Sequence, residues 1–298
     1  MPATSSKTTL PPKSSKTKKK AGKIEPVRPP VDRFPFAQYA SVLGVRLLLI
    51  GFTGLYIPQT TRLFGPLSAR KTDRPQSEFM EALTVNPSLT LGWISVGLTL
   101  LEVWWAGWVR RWSFEQTAKG TEVEIKLDRV RFESLRFTRL KDATAFTLCA
   151  ALATHVVAVV FGAPLTSHVV QTALLAFVVS ILAAFTPAFV LGVPSFSSNT
   201  VSMINRLSWT RLFVELSPRN ALERTMVYPA VGTFFGGWLG AIPIALDWDR
   251  PWQAWPLTPL FGSLGGYIIG AILAFTFSTA RWLAIEHVQS CPPKLKSR

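Results

Sequence analysis

The sequence predicts an all-α membrane protein, a polytopic bundle of six transmembrane helices behind a disordered basic N-terminal tail, and three observations carry that reading. Of its 298 residues 48% are hydrophobic and only 16% charged, where a soluble domain carries roughly a quarter charged. Six stretches each supply about 20 mostly apolar residues, the length that crosses roughly 30 Å of hydrocarbon as a helix. The net charge of +15 would suggest nucleic acid in a soluble chain. Here it is distributed unevenly over alternate loops, as topology demands, so no nucleic-acid partner is expected.

Residues 1–34 hold nine Lys or Arg and the run SSKTTLPPKSSKTKKK. They contain too little apolar surface to fold alone and are expected to form a disordered cytosolic tail. Nothing in them resembles a signal peptide, and the apolar segment that follows is too long for one. Spans are placed near 35–57, 88–109, 143–162, 168–193, 222–246 and 257–285, with a cytosolic tail over 286–298. The link from Gly162 to Ser167 is so short that the third and fourth spans must form an antiparallel hairpin. Counting Lys and Arg on alternate sides, with Arg46 set apart inside the first span, puts 26 on one side and five on the other, so both termini are expected in the cytosol.

Three features between the spans have local readings. From Thr121 to Phe132, Val123, Ile125 and Leu127 alternate with charged residues, the period of a half-buried strand, which predicts a hairpin on the membrane face. Val201, Ile204, Leu207 and Leu212 with Arg206 and Arg211 suggest a short interfacial helix. Asn220, three residues before Glu223, has the spacing of a helix-starting box.

Charge at membrane depth is costly and singles out Arg46 and Glu102, which sit at comparable depth in the first two spans. They are expected either to pair or to remain apart, with Arg46 snorkelling and Glu102 in the headgroup zone beside an aromatic belt of Trp104, Trp105 and Trp108. His155 falls mid-span and reads as a neutral helix-packing group rather than a relay. Glycines recur at four-residue spacing, Gly232, Gly236 and Gly240 in the fifth span and Gly262, Gly266 and Gly270 in the sixth. Such smooth stripes let helices approach closely, either each other or a partner protein, or leave room for lipid. Pro187 and Pro229 are candidate kinks.

Chemistry for catalysis is missing. Three His and two Cys, Cys149 and Cys291, are too few and too scattered for a metal centre or a disulfide framework. No nucleophile elbow, zinc-helix or phosphate-loop motif is present. No cofactor, metal or catalytic residue is expected. Asp247 and Asp249 beside Arg250 read as a structural charge pairing rather than a cation site.

Two segments carry a resemblance. Phe161-Gly162-Ala163-Pro164-Leu165, and the stretch from Gly236-Gly237-Trp238 through Pro243 to Leu246-Asp247-Trp248-Asp249-Arg250-Pro251-Trp252-Gln253-Ala254-Trp255-Pro256, look like the PIG-F family of glycosylphosphatidylinositol (GPI) anchor biosynthesis. The resemblance runs roughly from Ala143 to Leu283, the N-terminal half matching in layout only, and the long basic tail looks like a fungal variant. It implies a non-catalytic multi-pass subunit of the endoplasmic reticulum membrane that binds and stabilises the large GPI ethanolamine-phosphate transferases. The transferase would bring the metal-dependent catalytic domain and take phosphatidylethanolamine as donor. The alternative within the pathway is a lipid-handling protein, a scramblase, a transporter or a factor presenting phosphatidylethanolamine or the GPI precursor.

Under this resemblance the partner- or lipid-binding surface comprises Phe161, Gly162, Ala163 and Pro164 together with Asp247, Trp248, Asp249, Arg250, Trp252 and Trp255. A helical turn would place the three tryptophans on one side. Independently, Lys294 and Lys296 near the C-terminus form a K-x-K-x-x pattern like the dilysine retrieval signals of endoplasmic reticulum membrane proteins.

Overall fold

A computed structural model describes residues 34–64, 76–118, 120–246 and 248–290. The basic tail, Asp247 and the Lys294/Lys296 pair, on which some expectations rest, lie outside the described residues. The protein is an all-α membrane protein: six helical spans are long and apolar enough to cross a bilayer, and no strand occurs among the described residues.

The first span is helix α1 (Phe36–Leu55), continued by a 3₁₀ segment from Ile57 to Phe64. A short α2 (Glu78–Thr84) follows, started by Ser77, whose hydroxyl accepts the Met80 N–H at 3.4 Å, with Glu78 and Glu81 in the positive first turn. The second span, α3 (Pro87–Thr117), opens on Asn86, whose side chain accepts the Leu89 N–H at 3.2 Å, and on Pro87, whose missing N–H costs nothing at a first helical position. Its 31 residues make it about 46 Å long, so it outruns the hydrocarbon and carries Arg110 and Arg111 beyond it.

Where alternation predicted a strand, the chain forms helix α4 (Glu122–Ser134). The reason is a capping box: Thr121 Oγ1 accepts the Glu124 N–H at 3.4 Å and a Glu124 carboxylate oxygen accepts the Thr121 N–H at 2.8 Å. Thr-x-x-Glu ahead of an apolar run is itself a helix-start signature, and a lone strand would have had no neighbour for its backbone. Phe132 packs on Phe114, ring centroids 4.8 Å apart, and its carbonyl accepts from Arg110 at 2.8 Å.

The third span, α5 (Arg136–Val160), turns through Gly162 (φ 102°) and His168 (φ 61°) into the fourth. That fourth span is one helix in three parts: α6 (Val169–Ser180), a π-helical turn from Ile181 to Phe185, and α7 (Thr186–Leu191). Pro187 lacks an N–H and its ring would strike the carbonyl four residues back, so widening the preceding turn accommodates it. Helix α8 (Thr200–Trp209) exposes Val201, Met203, Ile204 and Leu207.

The fifth span, α9 (Ala221–Ala241), starts on Asn220, which accepts the Glu223 N–H at 2.7 Å. Only half of the expected box forms. The Glu223 carboxylate instead takes both Arg211 terminal nitrogens, at 2.9 and 2.6 Å, and the Arg219 N–H; this bonding holds the Arg211 guanidinium above its ordinary range. The sixth span, α10 (Leu257–Ser290), lies along α9, while α3 packs against α1, α6 and α7, and α5 chiefly against α6.

Candidate functional site

Three regions gather the residues singled out by the sequence. In the first, Arg46 of α1 and Glu102 of α3 form an ion pair whose side chains are both 0% exposed. Neither snorkels. The second Glu102 oxygen accepts from the Thr186 hydroxyl at 2.8 Å, so the turn after the π-helical segment of the fourth span completes the carboxylate's shell. The Arg46 guanidinium lies 4.1 Å from the Trp105 ring centroid and 4.8 Å from that of Tyr267, two π faces that attract a desolvated cation. Five helices thus converge here, since Tyr39 of α1 also bonds through its hydroxyl to Thr225 of α9. Nearby, Arg224 reaches Ser278 of α10 at 2.9 Å.

Trp105 and Trp108 do not form a membrane-surface belt. They are buried and stack on each other at 5.2 Å, with Tyr39 stacked on Trp108, because α3 turns that face inward; only Trp104 of the three is exposed. His155 is half-buried, with Nδ1 unpartnered among the described residues, and takes no part in this centre.

The second region is the crossing of α9 and α10, where all six glycines meet. A Cβ on Gly236 would come within 2.9 Å of the Gly266 Cα, and one on Gly262 within 2.9 Å of the Gly240 Cα; Gly232 and Gly270 are as tightly enclosed. The obstructing atoms are backbone, which cannot swing aside. Gly265 differs, facing open space. It lines an apolar groove of about 720 Å³ beside the crossing, walled by Val231, Phe235 and Leu239 of α9 and Ile269 and Leu273 of α10, with Leu216 at one end.

The third region is the loop between those helices. Trp248 and Trp252 pack edge to face at 5.7 Å, but Trp255 turns inward and donates to the Thr172 hydroxyl of α6 at 3.0 Å. The three do not share one side, because the stretch that carries them forms only the short 3₁₀ turn Pro251–Gln253, after an earlier one at Ile242–Ala245, rather than a continuing α-helix. Among the described residues Asp249 and Arg250 form no ion pair. The loop is instead stapled by Gln253, which donates to the Pro243 and Leu246 carbonyls at 2.6 and 2.7 Å and accepts the Arg250 N–H at 2.8 Å. Phe161, in the neighbouring hairpin, is 81% exposed, while Ala163 is buried and Pro164 half-buried.

Thr186, Tyr39, Tyr267, Ser278 and Gln253 had no distinguishing sequence signal, since single hydroxyls, amides and aromatic rings are ordinary in and around spans.

Comparison with known proteins gives one family. The model of the GPI biosynthesis protein family Pig-F matches residues 75–275, reaching further toward the N-terminus than the motifs alone had indicated. A mouse protein named GPI ethanolamine phosphate transferase, stabilizing subunit, is 31% identical over 141 residues, 47% of this chain and 59% of the mouse protein. The Neurospora crassa glycosylphosphatidylinositol anchor biosynthesis protein 11 is 39% identical over 118 residues, 40% of this chain and 38% of its own length. In Schizosaccharomyces pombe a PIGF/3-ketodihydrosphingosine reductase fusion protein is 35% identical over 135 residues, 45% of this chain and 25% of the fusion. The matched region therefore spans about three-fifths or less of each of these relatives. No solved structure matches the chain.

Proposed function

Since the chain belongs to the Pig-F family of GPI biosynthesis proteins, we propose that it is a non-catalytic membrane subunit that binds and stabilises GPI ethanolamine-phosphate transferases in the endoplasmic reticulum. The observation that carries this reading is the extent of the family match, residues 75–275, which takes in the buried ion-pair partner Glu102, the glycine crossing and both hairpin-end loops. The name of the mouse relative, a stabilizing subunit, supports it. In this reading the interior fixes the bundle and the exposed Phe161 and Trp248 offer a surface to the transferase. Lys294 and Lys296 serve retrieval, and both termini lie in the cytosol, as the Lys/Arg asymmetry favours.

The test is purification of the tagged chain in mild detergent with mass spectrometry of what it retains. Recovery of a large transferase, and loss of ethanolamine-phosphate addition to GPI when the chain is depleted, are expected; a chain recovered alone from cells making normal amounts of transferase would refute the reading. For topology, a glycosylation acceptor beside Arg250 should be modified and one near Lys119 should not.

A second reading is favoured by the apolar groove beside α9 and α10: the subunit holds a membrane lipid, the phosphatidylethanolamine donor or the GPI precursor, for its partner.

A further inference from the structure

The groove between α9 and α10 is a by-product of how the two helices meet. Glycines at the contact draw the backbones together, while the residues beside the contact, Val231, Phe235, Leu239, Ile269 and Leu273, are large and stand on either side of it. The lining is wholly hydrocarbon or glycine apart from Tyr228. Its extent along α9, from Val227 to Gly240, is about 20 Å at 1.5 Å per residue. That exceeds one leaflet of a hydrocarbon core about 30 Å thick and falls short of both. A crossing helix would need contact across the whole core, whereas a single extended acyl chain needs about this length.

The two ends differ. At the end marked by Leu216 the chain carries three arginines within a few residues. Arg211 is occupied by Glu223, and Arg224 by Ser278 and the Arg219 carbonyl. Arg219 is exposed, and three residues of chain hold it within about 11 Å of Leu216. A cation at the end of an apolar slot complements a molecule with a hydrocarbon tail and an anionic head.

We propose that this groove binds one acyl chain of a glycerophospholipid, with the headgroup phosphate at Arg219. The inference rests on the lipid-holding reading only in taking a lipid as occupant; it does not require the transferase. The groove can therefore fail while transferase recovery succeeds, and the reverse.

Gly265 provides the test. It lines the groove yet faces open space, so a large side chain there fills the slot without touching the helix crossing. The full-length chain is placed in phosphatidylcholine nanodiscs carrying a trace of phosphatidylcholine with a photoreactive acyl chain, irradiated and mapped by mass spectrometry. Adducts on Phe235 and Ile269 should exceed those on the exposed Leu152 and Val156 of α5 at least fivefold. Gly265→Trp should reduce them at least fivefold at unchanged yield of folded protein, and Gly265→Ala should leave them intact. Arg219→Gln should lower adducts of the phospholipid about threefold but not those of a diacylglycerol with the same photoreactive chain. Equal labelling of groove and α5, labelling indifferent to Gly265→Trp, or cross-links from the groove to another polypeptide in place of lipid would each overturn the proposal.

Discussion

The bundle joins its helices in two opposite ways. Where α1, α3 and the fourth span meet, the joint is chemical: the buried Arg46 and Glu102 pair and Thr186 donates to the carboxylate, while Trp105 and Tyr267 face the cation. Where α9 meets α10, the joint is steric, with backbone against backbone and no side chain between the glycines. The difference teaches what each joint can tolerate. A charge pair can be removed whole and replaced by apolar groups of similar volume, because its cost is desolvation; half of it cannot. A glycine contact has no second half to remove, and any added atom must push the helices apart.

The largest expected effect breaks the chemical joint. Glu102→Ala strands Arg46 in the interior and should lower stability by about 3 to 5 kcal/mol, read as loss of folded protein in a detergent-challenge assay. Arg46→Leu with Glu102→Leu should recover most of it. If the double variant is as unstable as Glu102→Ala, the pair is not what makes the site sensitive.

Next in size is the steric joint. Gly266→Leu places side-chain carbon against the Gly232 carbonyl and the Gly236 Cα, and should cost about 3 kcal/mol, the upper part of the usual range for overpacking. Here a second substitution to a smaller residue offers no recovery, since the opposing positions are already glycine. Wild-type thermal stability in Gly266→Leu would mean that the two helices can separate freely.

A smaller change sharpens the comparison. Thr186→Val keeps shape and removes one hydrogen bond to a charged group, so about 1.5 kcal/mol should be lost. The loss should vanish when Arg46 and Glu102 are already both Leu, because the threonine's only stake in the joint is the carboxylate. An equal loss in both backgrounds would assign Thr186 to the helix itself.

These joints were unequally legible in the sequence. Six spans follow from hydropathy because the bilayer demands length and apolarity and little else. Arg46 and Glu102 were legible because ionised groups at that depth are rare; their third partner was not, since a threonine in a span is commonplace and only the π-helical turn before Pro187 aims it at Glu102. Glycine spacing announced two smooth faces, but that they are spent on each other, leaving Gly265 over a groove, depends on the crossing geometry. The Trp-rich loop misled in a particular way. Its charges suggested the frame, while the bonds are made by Gln253, an amide able to donate and accept at once. In the segment from Thr121 to Phe132, alternation was read as a strand, whereas Thr121 and Glu124 close a capping box that starts a helix.

The smallest effect lies outside both joints and serves as their control. Helix α4 has no buried residue, so it owes its place to its cap and to the Phe132 contact with Phe114 and Arg110. Thr121→Ala removes the hydroxyl that accepts the Glu124 N–H and should raise amide exchange across 122–134 about fivefold, the size of a lost N-cap. Thermal stability of the bundle should not move. The reciprocal half of the box titrates: the Thr121 N–H holds the Glu124 carboxyl below its ordinary range, with the threonine hydroxyl adding to it. A depressed carboxyl contributes stability at a pH above its unfolded value and loses it as the pH falls through the folded one. Local protection of α4, corrected for intrinsic exchange, should therefore be full at neutral pH and decline on acidification in wild type, while Glu124→Gln should flatten that dependence. If Thr121→Ala instead destabilised the whole bundle, α4 would be coupled to the joints through Arg110, and the separation of a chemical and a steric half from an independent surface helix would fail.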